Sequence, residues 1–112
     1  MIPSEIDFRL YQNFQKTKKF IVYQSDGTTP HDMSGNTVKL YFKPEGSSDP
    51  FTEITGSVGG ANNNEVTFVF TTTHTANVSF NQYKIVEEAT PDNPLIIGNI
   101  NIEMLNINKW KY

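Results

Sequence analysis

Apolar and polar residues alternate with a period of two along most of this chain. Ile6, Phe8 and Leu10 alternate with Asp7, Arg9 and Tyr11, and Phe20 to Tyr23 is a short continuous apolar run. Val38, Leu40 and Phe42 alternate with Lys39, Tyr41 and Lys43, and Ile54, Gly56 and Val58 repeat the pattern weakly. Val66, Phe68 and Phe70 form the next run, then Tyr83, Ile85 and Glu87, and Leu95 to Ile107 holds Ile100, Ile102 and Met104 at spacing two. Successive strand side chains face opposite surfaces of a sheet, so each run predicts a strand with one apolar and one wetter face. No window of a dozen residues carries a sustained helical stripe, and the abundance of Thr and Asn disfavours helix.

Turn residues fall between the runs. Asp26-Gly27 opens a loop that continues through Pro30, His31 and Gly35, while Pro44-Glu45-Gly46 and Asp49-Pro50 bracket a second connection. Gly59-Gly60 with Asn62, Asn63 and Asn64 make a third turn, because these residues tolerate positive φ. Pro91 to Pro94 separate the last two strands. The spacing predicts one all-β domain over 1–112, an antiparallel two-sheet sandwich of about seven strands with a short tail at 106–112. Thr71 to Asn81 reads as a loop or as one turn of helix capped by Thr72 or Thr73. Tyr83 follows it as a candidate corner tyrosine, with its ring in the core and its hydroxyl on nearby backbone. In that reading Asn81 takes the left-handed position two residues earlier. The plain alternative is an ordinary strand tyrosine.

The succession Val38-Lys-Leu-Tyr-Phe42, the strand with Gly56, Glu65-Val-Thr-Phe-Val-Phe70, Asn81-Gln-Tyr83-Lys-Ile-Val86 and Leu95-Ile-Ile-Gly-Asn-Ile-Asn-Ile102 resembles a known family. It is similar to the N-terminal immunoglobulin-like domain of bacteriophage baseplate upper proteins, from about Ile6 to Leu105. The resemblance implies an immunoglobulin-like sandwich that docks on a virion scaffold and is made in the host bacterial cytoplasm. Two departures stand out. Asn81 replaces a corner glycine, and the family continues into helical and receptor-facing portions where this chain ends at Tyr112. The Met start is expected to mark a complete gene product, so the resemblance implies an adaptor or decoration role without the receptor-binding part.

Charge and composition remove several function classes. Twelve acids against nine bases give a net charge of −3, and Arg9 is the single arginine. Nucleic-acid binding needs a basic footprint, against which the acidic excess argues, and bidentate readers, for which Arg9 leaves almost no candidates. The absence of cysteine excludes disulfides and thiolate chemistry. No apolar run approaches the ~18 residues of a spanning helix, and Glu5, Asp7 and Arg9 interrupt any leader-like start. No membrane insertion is expected.

Catalytic constellations are poor. His31, Asp32 and Ser34 offer triad residue types, but three groups within four positions of one loop do not readily converge on a relay. His74 is far along the chain, and no His pair has zinc spacing. Asp26, Asp32 and Asp92 lack calcium-loop spacing, and Gly59-Gly60 lacks the Lys and Ser/Thr of a phosphate loop. Glu87 and Glu88 are adjacent and so face opposite ways. No enzyme, cofactor or metal is expected.

Contact surfaces have better candidates. Trp110 and Tyr112, spaced by lysines, are aromatic anchors that either dock on a partner or cap the domain's own core. Tyr11 and Phe14 head a second aromatic–basic stretch through Lys16, Lys18, Lys19 and Phe20, otherwise readable as a hairpin with a solvated basic turn. The expected partners are other virion proteins, with symmetric copies or homo-oligomers held by sandwich edges and termini. The competing reading is a carbohydrate- or cell-surface-binding module in which Trp110, Tyr11 or Tyr41 stacks on host glycan.

Overall fold

The computed structural model describes residues 3–48 and 50–104. Among the described residues the period-two runs become nine strands: β1 (Ser4–Glu5), β2 (Phe8–Tyr11), β3 (Lys16–Ile21), β4 (Val38–Pro44), β5 (Thr52–Thr55), β6 (Ser57–Gly59), β7 (Glu65–Phe70), β8 (Ser79–Glu87) and β9 (Ile96–Glu103). Six of them form one sheet in the order β1-β9-β8-β4-β5, with β2 also on β9, and three form a second sheet in the order β3-β7-β6. The described residues contain no helix. The chain is all-β, and its two sheets are compatible with a β-sandwich.

Alternation sets the inner faces. Val38, Leu40 and Phe42 of β4, Tyr83 and Ile85 of β8 and Ile96, Ile100 and Ile102 of β9 are buried with Phe20 of β3 and Val66, Phe68 and Phe70 of β7. Phe8 packs edge-on against Phe20, Phe70 and Tyr83, with ring centroids 5.8, 5.8 and 5.2 Å away. Such edge-to-face pairs add about 0.5–1.5 kcal/mol each beyond the area they bury.

Three features depart from the sequence reading. The count rises from about seven strands to nine because two runs break. The run from Ile54 to Val58 crosses between sheets at Gly56, so β5 belongs to the larger sheet and β6 to the smaller. A Cβ at Gly56 would collide with Val66 and the Phe68 ring, so only glycine lets the crossover lie this close to the core. The pairing is also not wholly antiparallel, since β1 and β2 run parallel to β9. Finally, Ser79 to Asn81 join β8, so the loop expected over Thr71 to Asn81 ends at Val78; within it Thr75 N–H reaches the Thr71 carbonyl at 3.2 Å without propagating a helix. Thr75 is fully buried and its hydroxyl donates to the Phe14 carbonyl at 2.9 Å, which ties this turn to the one after β2.

The first run breaks at Ile6-Asp7 for a local reason. Ile6 N–H still donates to the Ile97 carbonyl at 2.9 Å, but the Ile6 carbonyl turns inward and accepts the Tyr83 hydroxyl at 2.5 Å. Asp7 Oδ1 accepts the Asn99 N–H at 2.9 Å, a side-chain acceptor on a strand amide. Gly98 makes room, because a Cβ there would fall on the Ile6 carbonyl oxygen. Burial and the Asp7 charge raise the Tyr83 pKa, which keeps the phenol a donor.

Candidate interaction face

The outward phase of the larger sheet is less polar than its inward phase requires. Cross-strand register places Tyr41 opposite Lys84, Lys43 opposite Gln82, Lys84 opposite Ile97 and Phe80 opposite Asn101. Tyr41 and Phe51 meet edge-on at 6.3 Å between centroids. Lys43 Nζ lies 4.8 Å from the Phe51 centroid, and Lys84 Nζ lies 5.2 Å from Phe51 and 5.9 Å from Tyr41. Ammonium groups within about 6 Å of a ring face are held by the ring quadrupole, so these lysines lie along the sheet. Phe80 is 51% exposed, Phe51 38% and Ile97 36%.

The charges on this face divide into two groups. Lys39 pairs with Glu53 and, at 3.6 Å, with Glu88, and Arg9 pairs with Glu103 at 3.1 Å. Hydrogen bonding and charge from these carboxylates support the raised pKa of Lys39, led by Glu53, while that of Arg9 is raised first by Tyr11 and then by Glu103. Lys43, Lys84 and Glu5 have no ion-pair partner among the described residues. The rings of Tyr41 and Phe51 are thus flanked by two lysines without an ion-pair partner among the described residues.

The residues singled out in the sequence lie as follows. Tyr11 ends β2 on this same outer face, 37% exposed, and Phe14 is 53% exposed in the following turn. Trp110 and Tyr112 lie outside the described residues. Lys16, Lys18 and Lys19 are inside β3 and not in a hairpin turn; Lys18 lies 5.5 Å from the Phe8 ring and Lys19 pairs with Glu65 at 2.9 Å. Asn81 is an extended residue within β8, opposite Pro44 and Ile100, and among the described residues the positive-φ non-glycine residues are Asn13 and Asn63. The left-handed corner therefore does not form at Asn81. The Tyr83 ring is in the core, but its hydroxyl is bonded to the carbonyl of Ile6, in the break between β1 and β2 and far along the chain.

His31, Asp32 and Ser34 are not brought together as a relay. Asp32 accepts the Ser34 N–H at 2.8 Å, which lowers its pKa, while His31 Nε2 meets Glu87 Oε1 at 2.7 Å. Asn36 Nδ2 donates to the other Glu87 oxygen, so the buried carboxylate has a partner on each side. Asp26 is likewise occupied by Thr28 and Thr29, which lower its pKa. Among the described residues no three His, Asp or Glu side chains gather closely enough to hold a metal ion. None of the described residues forms a helix long and apolar enough to cross a membrane.

Sequence reasoning missed Phe51, Phe80, Ile97 and Lys84. The available signal was the wrong-phase apolar residue: Tyr41, Phe80 and Ile97 each occupy the outward position of a run whose inward positions already fill the core. No protein-family model matches the chain, and no curated protein matches it.

Proposed function

We propose that this chain is a non-enzymatic structural component of a phage virion, an immunoglobulin-like adaptor or decoration domain of tail, baseplate or capsid. It assembles in symmetric copies and on neighbouring virion proteins through the outer face of its larger sheet. The observation that carries this reading is the Tyr41–Phe51 pair with Lys43 and Lys84 laid over it, continued by Ile97 and Phe80. Aromatic anchors flanked by cations that lack an acidic partner suit a protein surface bearing carboxylates.

The strand order supports the immunoglobulin-like part. A five-strand path β2-β9-β8-β4-β5 against β3-β7-β6 follows the variable-type division, in which the last, penultimate and middle strands share a sheet with an added strand. The virion part rests on the resemblance of the strand motifs to those of baseplate upper proteins, read from the sequence alone. The test is mass spectrometry of particles purified by density gradient from a culture carrying the gene. Peptides of this chain in constant ratio to known capsid or tail proteins are the expected result; their confinement to the unassembled fraction overturns the proposal. Within that experiment, Lys84→Glu with Phe51→Ser should leave a folded chain that no longer enters particles.

A further inference from the structure

One end of the sandwich carries a cleft of about 260 Å³ between β4, the start of β8 and the turn that precedes it. None of the described residues lining it bears a formal charge, although charged residues make up 19% of the chain. Thr52, Thr73 and Ser79 contribute hydroxyls, and Phe42 contributes a ring. Two of the lining side chains, Asn81 and His74, each present a polar atom without a partner among the described residues.

The first is the side-chain oxygen of Asn81, Oδ1. Asn81 is 1% exposed, and its amide nitrogen donates to Ser79 Oγ at 2.9 Å and toward the Ser79 and Ile100 carbonyls at 3.4 and 3.3 Å. Carbonyl oxygens only accept, and the Ser79 hydroxyl is spent as donor on the Asn77 carbonyl, so these contacts fix which end of the amide faces them. Oδ1 accepts no hydrogen bond there, and among the described residues no fully sealed side-chain polar atom lacks a partner, so the slight exposure Asn81 keeps includes Oδ1, at the floor of the cleft it lines. The second group is on His74. Thr71 N–H donates to Nδ1 at 2.9 Å, so the neutral ring carries its proton on Nε2, which has no described partner. Burial lowers the His74 pKa and favours that neutral form.

We propose that this cleft is a binding site for one neutral sugar ring, held between the His74 Nε2–H donor and the Asn81 Oδ1 acceptor. The hydroxyls of Thr52, Thr73 and Ser79, which both donate and accept, match a ligand whose own hydroxyls do the same. A charged ligand would lose hydration without meeting a counter-charge. Drug-sized pockets begin near ~300 Å³, so this volume takes a single ring and not a longer chain. The site is separate from the Tyr41–Phe51 face and does not depend on virion assembly.

The test is a titration of the isotopically labelled full-length chain with glucose, galactose, mannose and N-acetylglucosamine, each followed by two-dimensional NMR to high millimolar concentration. At least one sugar should shift the Asn81 side-chain amide and the backbone amides of Thr73 to Asn77, with saturation in the millimolar range. Thr73→Phe, at an exposed rim position, should abolish those shifts while signal dispersion stays native. If that variant misfolds, intermolecular NOEs from the Thr52 and Thr73 methyls to the sugar in the unmodified chain decide the matter. Four results overturn the proposal: no shift with any of the four sugars, shifts centred on Tyr11 or Tyr41, binding undiminished in a folded Thr73→Phe variant, or absent NOEs. Stronger displacement of the same signals by glucuronate overturns the neutral assignment.

Discussion

Tyr83→Phe isolates the contact that locks the first strand. The ring stays, so the packing against Phe8 at 5.2 Å and Phe20 at 6.2 Å is retained and only the hydroxyl is removed. That hydroxyl donates to the Ile6 carbonyl at 2.5 Å from a site 3% exposed. A typical net hydrogen bond is worth about 1 kcal/mol, and a buried acceptor left without a donor costs about 1–3 kcal/mol. The Ile6 carbonyl lies against Gly98 and would lose its Tyr83 donor, so the expected loss is about 2 kcal/mol. For a chain of this length that lowers the melting temperature by about 8 °C. Urea unfolding should show a lower midpoint with an unchanged slope, because the surface exposed on unfolding is the same. Amide exchange should accelerate first at Ile6 and Asn99, the two N–H groups that hold the kink. Asp7→Ala attacks the same kink through the Asn99 N–H, so the double variant should fall short of additivity by about 0.5 kcal/mol or more. An unchanged midpoint, or strictly additive losses, would refute the reasoning that carbonyl, hydroxyl and carboxylate act as one device.

Three further outcomes are expected. Gly98→Ala places a methyl on the Ile6 carbonyl oxygen and should cost about 3 kcal/mol, at the upper end of overpacking penalties; a thermal melt within a degree of the parent would contradict this. His31→Ala leaves the buried Glu87 carboxylate with Asn36 as its remaining side-chain partner and should cost about 1–3 kcal/mol at pH 7, read from urea midpoints beside Glu87→Gln. His74 gives a pH dependence: burial holds its pKa below the usual 6.5, so below that value the unfolded chain takes up a proton that the folded chain refuses. Its contribution is complete above about pH 6.5 and disappears as pH falls through the folded value, so the parent should lose more stability between pH 7 and 5 than His74→Gln. Parallel melting profiles for the two proteins would exclude that linkage.

What local sequence determines here is each strand and its inward phase. Val38–Phe42, Val66–Phe70 and Tyr83–Ile85 were legible because the period of two is a property of a single extended segment and needs no knowledge of its neighbours. The early start of β3 was not, since Lys16 to Lys19 carry a strand's conformation without its apolar alternation and owe it to pairing with β7. Which strands lie side by side is a non-local choice. The same runs say nothing of a first strand parallel to the last, or of a crossover at Gly56. Asn81 reads locally as a turn residue, but strands on both sides bond its backbone and hold it extended. The interaction face follows the same logic. Tyr41, Phe51 and Lys84 are ordinary residues in separate segments, and only the register of β4, β5 and β8 turns them into one cluster of rings and ammonium groups. Alternation is short-ranged and written in the chain, whereas cation–aromatic contacts and the Ile6–Gly98–Tyr83 kink depend on distances that exist only once the sheet has closed.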